Sequence, residues 1–225
     1  MPIYLLSHVR RVPRLRHVTN DFHFHDAPLT GAQLDEAAGV AMRAFFDDSY
    51  FRFLMPNDRA RARSAAILFH EQLKHLGKGG RVTTVRDTTD AIVAVAGWLK
   101  TDQFPPPLLS QLAQIPGSLR AFYRQPRSLR VGARYLSTLL KVHPKEKHWY
   151  LMLLATDPAR QRVGAGTLLM ADGLSHIDAE GVGGYLETQK EENLAYYRRF
   201  GFDLKETLHP MTEGPPYYTM WRPPR

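Results

Sequence analysis

The spacing of apolar residues divides the chain into a series of strands and helices. Residues 22–25 alternate apolar and polar side chains, which is typical of a strand. Behind Thr30, a residue suited to cap a helix, Leu34, Ala37 and Ala41 return at helical spacing up to about residue 48. The same reasoning predicts helices over about 59–76, 108–115, 119–142, 164–180 and 192–200, and strands over 81–86, 91–99, 148–156, 183–188, 201–208 and about 216–222. This mixture predicts an α/β protein.

The stretch from Leu151 to Met170 contains the strongest candidate for a functional site. An apolar strand ends at Asp157-Pro158, a basic loop follows, and Gly164-Ala165-Gly166 opens the next helix. Glycines allow a bulky anion to come close to the backbone. The first N–H groups of a helix lack partners and lie at the positive end of the macrodipole. The junction therefore predicts a phosphate-binding site.

Three kinds of phosphate loop have this general form. A Walker loop ends in Gly-Lys-Ser/Thr, but Gly166 is followed by Thr167-Leu168. A dinucleotide fingerprint places a third glycine where this chain has Leu169, and its tight turn has no room for the six residues 158–163. The remaining pattern is Q/R-x-x-G-x-G/A at residues 161–166, preceded by Thr-Asp-Pro. It resembles the coenzyme A pyrophosphate loop of the GNAT superfamily of acyl-CoA-dependent N-acyltransferases.

A second block of sequence resembles the same family. Residues 184–189, Gly-Tyr-Leu-Glu-Thr-Gln, form the predicted strand, and residues 193–202 match the family's N-x-x-x-Y-x-x-x-G-F helix and turn. The amino-acid sequences of this block and of the closing stretch 213–221 further resemble the puromycin N-acetyltransferase branch. Motif-level resemblance spans residues 148–222, and similarity of layout reaches back to about Phe22.

The resemblance implies a fold and a domain layout. We expect a GNAT-like single domain of the α/β class, with a central, mostly antiparallel twisted sheet that is flanked by helices and splayed around the cofactor strand. It should occupy residues 21–225, behind a basic N-terminal arm at 1–20. A basic helical insertion at about 101–147 separates two strands, and we expect it to shape the acceptor site, because connections of this length are usually functional or mobile.

The resemblance also implies acetyl-CoA as co-substrate. The backbone of Leu154 and Thr156 would bind the pantetheine arm, and amides from about Arg162 to Thr167 would bind the pyrophosphate. Asn193 is expected to contact the cofactor or to start its helix. The expected cofactor-binding residues are Leu154, Thr156, Gln161, Arg162, Val163, Gly164, Ala165, Gly166, Thr167 and Asn193.

Two catalytic residues are expected. Tyr197 matches the family's tyrosine four residues before Gly-Phe, whose phenol faces the thioester sulfur and acts as general acid. Packing under the sheet is the alternative for such an aromatic, and Tyr196 beside it is available for that place. An ammonium must also lose a proton before it attacks. Candidate bases are Glu187, His148, Asp47 and Asp48. We favour Glu187, because its strand follows the cofactor helix and should lie near the acyl end, although a role as a salt-bridge partner is the alternative.

Aromatic and acidic residues in two segments are candidates for the acceptor site, although core packing is the alternative for the aromatics. Those of the first segment are Phe45, Phe46, Asp47, Asp48 and Tyr50, and those of the insertion are Phe104, Phe122, Tyr123 and Tyr135.

Composition narrows the function classes. Thirty Lys and Arg against 22 Asp and Glu give a net charge of +8, which favours acidic partners such as nucleic acid, an anionic membrane or coenzyme A. The absence of cysteine excludes disulfides, cysteine nucleophiles and thiolate metal sites, and it suits a cytoplasmic protein. No apolar run reaches 18 residues, so no membrane-spanning segment is expected. The apolar part of residues 1–20 is too short for a secretory signal.

The sequence thus predicts an N-acetyltransferase that moves an acetyl group from acetyl-CoA to a small-molecule primary amine by direct attack in a ternary complex. We expect no metal, because His70 and His75 lie about 140° apart on a helix and His23 and His25 lack a third ligand. We expect no membrane partner, and a monomer or homodimer. The alternatives are a non-catalytic acyl-CoA sensor, which has no need of a placed phenol, and a basic nucleic-acid-binding module. Nucleic acid is disfavoured, since no aromatic platform or helix-turn-helix pattern occurs.

Overall fold

The computed structural model describes residues 22–105, 117, 120–123 and 125–225. The expected basic arm at 1–20 and the predicted helix at 108–115 lie outside these residues. The described helices are α1 (Gly31–Phe45), α2 (Ser49–Leu54), α3 (Asp58–Gly79), α4 (Pro126–Val142), α5 (Ala165–Glu180) and α6 (Glu192–Arg198). The described strands are β1 (Phe22–His25), β2 (Gly80–Asp87), β3 (Ile92–Lys100), β4 (His148–Thr156), β5 (Gly183–Thr188), β6 (Asp203–Leu208) and β7 (Tyr217–Arg222). None of these helices is both long and apolar enough to cross a membrane.

Across the described residues, the strands form one seven-stranded sheet in the order β1-β2-β3-β4-β5-β7-β6. Every neighbouring pair is antiparallel except β4 and β5, which run parallel. The helices pack on both faces. The expectation of a mixed α/β fold with a mostly antiparallel sheet flanked by helices is therefore confirmed.

The sheet opens between β4 and β5. These strands pair only from His148 to Leu151 on β4, opposite residues 183–186 on β5. On its other edge β4 carries a bulge against β3, because Gly97 pairs with Leu153 and Trp98 with Leu151, which leaves Met152 as the extra residue. A bulge bends its strand and increases the local twist. The bend lies where β4 leaves β5, so the second half of β4 borders a cleft.

Each face of the sheet carries its own apolar core. One core joins residues of α1, α3 and α4 to one face, with Val40, Leu73 and Tyr135 among its buried members. The other joins α5 and α6 to the opposite face through residues such as Met170 and Leu194. Because β4 contributes side chains to both cores, its position is fixed on either side of the cleft.

Local signals explain where several helices begin. Thr30 caps α1 in a capping box, accepting from the Gln33 amide at 3.5 Å and donating its own amide to the Gln33 side chain at 2.9 Å. α4 begins at Pro126 and not at the predicted residue 119, since proline suits the first turn of a helix. The six-residue helix α2 is too short for apolar periodicity to reveal, and it was not predicted.

Candidate active site

The loop after β4 is held by a network of hydrogen bonds at its start. The Asp157 amide donates to the Val93 carbonyl at 2.8 Å, and its carboxylate accepts from the Ala159 amide at 3.0 Å. Arg43 of α1 reaches the same carboxylate, with Nε at 2.8 Å and Nη2 at 2.6 Å. The Thr-Asp-Pro sequence therefore fixes the point from which the glycine loop departs.

The loop then turns through two left-handed residues into α5. Arg162 has a φ of 65° and Gly164, the residue before the helix, a φ of 97°. Gly164 provides no side chain to cap α5, and the first turn of α5 contains no acidic residue. The first intrahelical bond runs from the Leu168 amide to the Gly164 carbonyl at 3.0 Å, so the amides of residues 165–167 have no acceptor within the helix. Free amides at a helix N-terminus are suited to binding an anion.

A cavity of about 400 Å³ opens in front of these amides, and we call it the cofactor-side cavity. Its lining contains eight of the ten residues that were expected to bind the cofactor, namely Leu154, Thr156, Gln161, Arg162, Gly164, Gly166, Thr167 and Asn193. The other two do not line it, because the Val163 side chain is 47% exposed and Ala165 is buried in the core. The structure thus restricts any role of Val163 and Ala165 to their backbone.

Three features of the cofactor-side cavity suit a long ligand with a pyrophosphate. A Cβ atom on Gly166 would lie 3.4 Å from both Thr156 Oγ1 and the Tyr196 hydroxyl, so the absence of a side chain keeps the space open. The second half of β4 has no partner strand on the side of the cleft within the described residues. The Tyr196 hydroxyl is buried without a hydrogen-bond partner there.

Asn193 ties the two walls of the cleft together. It is the second residue of α6, not its cap, and its side-chain nitrogen donates to Thr188 Oγ1 at the end of β5, at 3.0 Å. The helix-start role considered for Asn193 is therefore wrong, while its side chain does line the cavity.

A second cavity of about 280 Å³ adjoins the first, and we call it the acceptor-side cavity. The residues that line both cavities are Phe45, Asp48, Leu154, Asn193 and Tyr197. The insertion contributes Phe104 together with Leu136 and Leu139 of α4 to the acceptor-side cavity, and none of its described residues lines the cofactor-side cavity.

Tyr197 lies where the two cavities meet. It is only 8% exposed and lines both cavities. Burial, followed by the neighbouring Tyr196, raises the pKa of Tyr197, so the phenol keeps its proton at neutral pH. Tyr196 does not replace it in the core, because Tyr196 also lines the cofactor-side cavity and is the less buried of the two.

Glu187 lies in the acceptor-side cavity, on the β5 wall of the cleft. Burial raises the pKa of its carboxyl to about 7, although the phenols of Tyr150 and Tyr185 act to lower that pKa. These phenols are near the carboxyl but not well aligned, since Glu187 Oε1 and the Tyr185 hydroxyl are both buried without a hydrogen bond of good geometry. A carboxyl with a pKa near 7 can accept a proton at neutral pH.

The other candidate bases are placed differently. Asp48 is buried between the two cavities, where it caps α2 by accepting from the Tyr50 amide at 2.9 Å. Burial raises its pKa, against smaller lowering effects from the capping amides and Lys190. Asp47 is exposed and pairs with Arg52, while the His148 ring is held by the Glu146 carbonyl and lines neither cavity.

Some predicted acceptor-site residues are excluded by their positions. Phe46 packs under the Arg61 guanidinium at 4.4 Å, and Tyr123 is 65% exposed. Phe122 and Tyr135 belong to the core beside the cavity and do not line it. Sequence reasoning missed Phe51, Phe69, Tyr150 and Tyr217, which line the cavity from four separate elements. No local pattern distinguishes these residues from core aromatics.

Comparison with known proteins places this geometry in a family. The family model described as "Acetyltransferase (GNAT) family" matches residues 48–202. A structure of histone acetyltransferase HPA2 and related acetyltransferase from Corynebacterium glutamicum is 24% identical, with a TM-score of 0.64, covering 91% of this chain and 97% of that one. An agmatine N-acetyltransferase is 11% identical, with a TM-score of 0.57 and coverage of 90% and 99%. Arylalkylamine N-acetyltransferase 2 from Aedes aegypti is 10% identical, with a TM-score of 0.55 and coverage of 91% and 99%.

At these identities the solved structures show a shared fold, and the family model carries the assignment because it spans more than half of the residues. Within the described residues, no group of three or more His, Cys, Asp or Glu side chains is arranged to hold a metal ion. The chain belongs to the acetyltransferase (GNAT) family.

Proposed function

We propose that this protein transfers an acetyl group from acetyl-CoA to the primary amine of a small molecule, by direct attack in a ternary complex. The observation that carries the proposal is the meeting of two cavities at Tyr197, with the glycine loop on one side and Glu187 on the other. A sensor would need only the first cavity.

The cofactor-side cavity fits acetyl-CoA by the character of its walls. The amides of residues 165–167 would hold the pyrophosphate, and the Thr167 hydroxyl would add a donor. The backbone of Leu154 and Thr156 on the free part of β4 would hold the pantetheine arm as an added strand does. When bound, acetyl-CoA supplies the acetyl group as a reactive thioester.

The residues at the junction have separate tasks. Glu187, with its pKa near 7, accepts a proton from the substrate ammonium, directly or through water. Tyr197, protonated at neutral pH, donates to the sulfur that leaves. Because a thiol has a pKa of about 8.5, its thiolate already leaves readily and the contribution of the acid is modest. Holding both reactants in one cleft supplies much of the rate.

The acceptor class rests on two further supports. The agmatine and arylalkylamine enzymes that share the fold are named for small-molecule amines. The resemblance of residues 184–202 and 213–221 to the puromycin N-acetyltransferase branch supports an aminonucleoside-like or antibiotic amine as the acceptor.

Release of free thiol from acetyl-CoA over a panel of amines tests the proposal, with mass spectrometry to identify the N-acetyl product. We expect thiol release that depends on the amine and a product heavier by one acetyl group. If coenzyme A binds and no amine among puromycin, arylalkylamines and polyamines is acetylated, a sensor explains the fold better.

A further inference from the structure

The walls of the acceptor-side cavity are unusually aromatic for a cavity of about 280 Å³. Six of the rings that line it come from distant parts of the chain: Phe45, Tyr50, Phe51, Phe69, Tyr150 and Tyr217. The rings contact one another, with centroids 5.2 Å apart for Phe51 and Phe69 and 6.2 Å apart for Tyr50 and Tyr217. Aromatic walls favour a flat, apolar ligand.

These walls are braced from behind by α4. The Tyr135 ring packs against Tyr50 at 4.7 Å and against Tyr217 at 5.6 Å, and its hydroxyl donates to the Pro215 carbonyl at 2.8 Å. Since Tyr135 is only 2% exposed, the brace is part of the core. The cavity is therefore shaped before a ligand enters, which limits the ordering cost of binding.

The charged side chains among the described residues that line the cavity have one sign. Asp48 and Glu187 are the only charged side chains among the described lining residues, and no lysine or arginine is among them. This contrasts with the net charge of +8 of the whole chain. A cation is attracted by both carboxyls and by the faces of the phenol rings, whereas a carboxylate or phosphate would meet like charge in a buried site.

Resting on the proposed function, we propose that the acceptor is a primary amine on a short linker from an aromatic ring, with no free carboxylate. The ring binds among Tyr50, Phe51 and Phe69, and the ammonium is drawn to the carboxyls of Glu187 and Asp48.

Three probes separate the parts of this proposal. 2-Phenylethylamine has the ring and the amine, phenylalanine adds a carboxylate to the same skeleton, and 1,4-diaminobutane has amines and no ring. Calorimetric binding to the coenzyme A complex and kcat/KM from thiol release are measured for each. We expect 2-phenylethylamine to exceed both others by at least about tenfold in each readout.

Variants of the lining sharpen the test. Asp48→Asn preserves the helix cap and removes the charge, so it should reduce the discrimination against phenylalanine about fivefold or more. Tyr50→Leu should raise the KM for 2-phenylethylamine about tenfold and should raise that for 1,4-diaminobutane much less. Phe46→Leu, an aromatic of the same segment outside the cavity, is the matched control and should change neither.

The outcomes distinguish this proposal from the proposed function. Equal use of all three probes, or of phenylalanine and 2-phenylethylamine, overturns the aromatic-amine inference while acetyl transfer stands. Binding of 2-phenylethylamine in the expected order without any acetylation supports the recognition and overturns the reaction. Absence of 2-phenylethylamine binding in a protein that acetylates other amines also overturns the inference.

Discussion

The cofactor-side and acceptor-side cavities adjoin each other but are built in opposite ways. The first is formed mainly by one short run of sequence, residues 154–167, and its proposed ligand groups are largely backbone amides. The second is formed by side chains of five helices, α1 to α4 and α6, and of the strands β4, β5 and β7. A backbone site tolerates many side chains and depends on glycine and helix geometry, whereas a side-chain site changes with each substitution. The reaction can thus stay fixed while the acceptor varies.

The largest effect should follow from Gly164→Glu, which tests the backbone side of the comparison. The new carboxylate would stand at the N-terminus of α5 with no other atom within 4 Å of its Cβ, and would repel a pyrophosphate there. We expect calorimetry to show coenzyme A affinity lower by about a thousandfold or more. Gly181→Glu is a matched control, because Gly181 also has a positive φ, of 63°, at the other end of the same helix. If Gly164→Glu folds and binds as tightly as the control, the loop assignment is wrong.

Tyr197→Phe tests the junction of the two cavities and should have the next largest effect. The ring stays and the proton is removed, so kcat should fall by roughly ten- to a thousandfold with coenzyme A affinity nearly unchanged. Tyr196→Phe alters the neighbouring phenol, which lines only the cofactor-side cavity, and should cost no more than about threefold. Equal turnover of wild type and Tyr197→Phe would leave Tyr197 a packing residue.

Glu187→Gln tests the acceptor side through its pH dependence. A base must be deprotonated, so kcat/KM of the wild type should rise through about pH 7, the pKa to which burial raises Glu187. The variant should lack this rise, about a hundredfold below wild type at pH 8 and close to it at pH 5.5. The Tyr185 phenol lowers the pKa of Glu187, so in Tyr185→Phe the rise of kcat/KM with pH should move to higher pH. A wild-type profile in Glu187→Gln would exclude Glu187 as the base.

The same contrast explains what the sequence could predict. The strand, loop and helix around Gly164 are contiguous, so a local pattern was enough to predict most of the ten expected cofactor-binding residues, eight of which line the cofactor-side cavity. Most strands and long helices were also found, because one face of each packs on a core at a regular spacing. The pattern did not predict that the side chains of Val163 and Ala165 point away from the cavity.

The acceptor side was less accessible to this reasoning. Phe51, Phe69 and Tyr217 become neighbours only when α2, α3 and β7 are packed together, and an aromatic that lines a cavity has the same local sequence as one in a core. The short helix α2 was missed for a related reason, since six residues give no measurable period. Exclusion of His148 needed the direction of β4, whose first residue lies at the opposite end from the glycine loop.

The smallest predicted effect concerns His143, at the end of α4 behind the acceptor-side cavity. Its ring packs against Phe104 at 4.5 Å and Tyr150 at 5.3 Å, both of which line that cavity, and against Tyr185 at 5.0 Å. Both ring nitrogens are buried, and neither has a hydrogen-bond partner among the residues that the structure describes. Burial, and then the nearby His148 and Lys205, lower its pKa from 6.5 to about 4.

The sign of the effect follows from these values. Because the pKa in the folded protein lies below that in the unfolded chain, the unfolded chain binds the proton more readily as the pH falls from about 6.5 to about 4. The free energy of unfolding should therefore decrease over this window, and His143→Phe should reduce that decrease by about 1 to 2 kcal/mol. Urea unfolding at pH 7.5 and at pH 4.5 measures it, with His23→Gln, which removes an exposed imidazole from β1, as control. Acid would then destabilise the fold through a residue that packs behind the acceptor-side cavity. We expect no such effect from the glycine loop on the cofactor side. An unchanged difference between the two pH values in His143→Phe would show that this imidazole contributes nothing to the acid sensitivity of the fold.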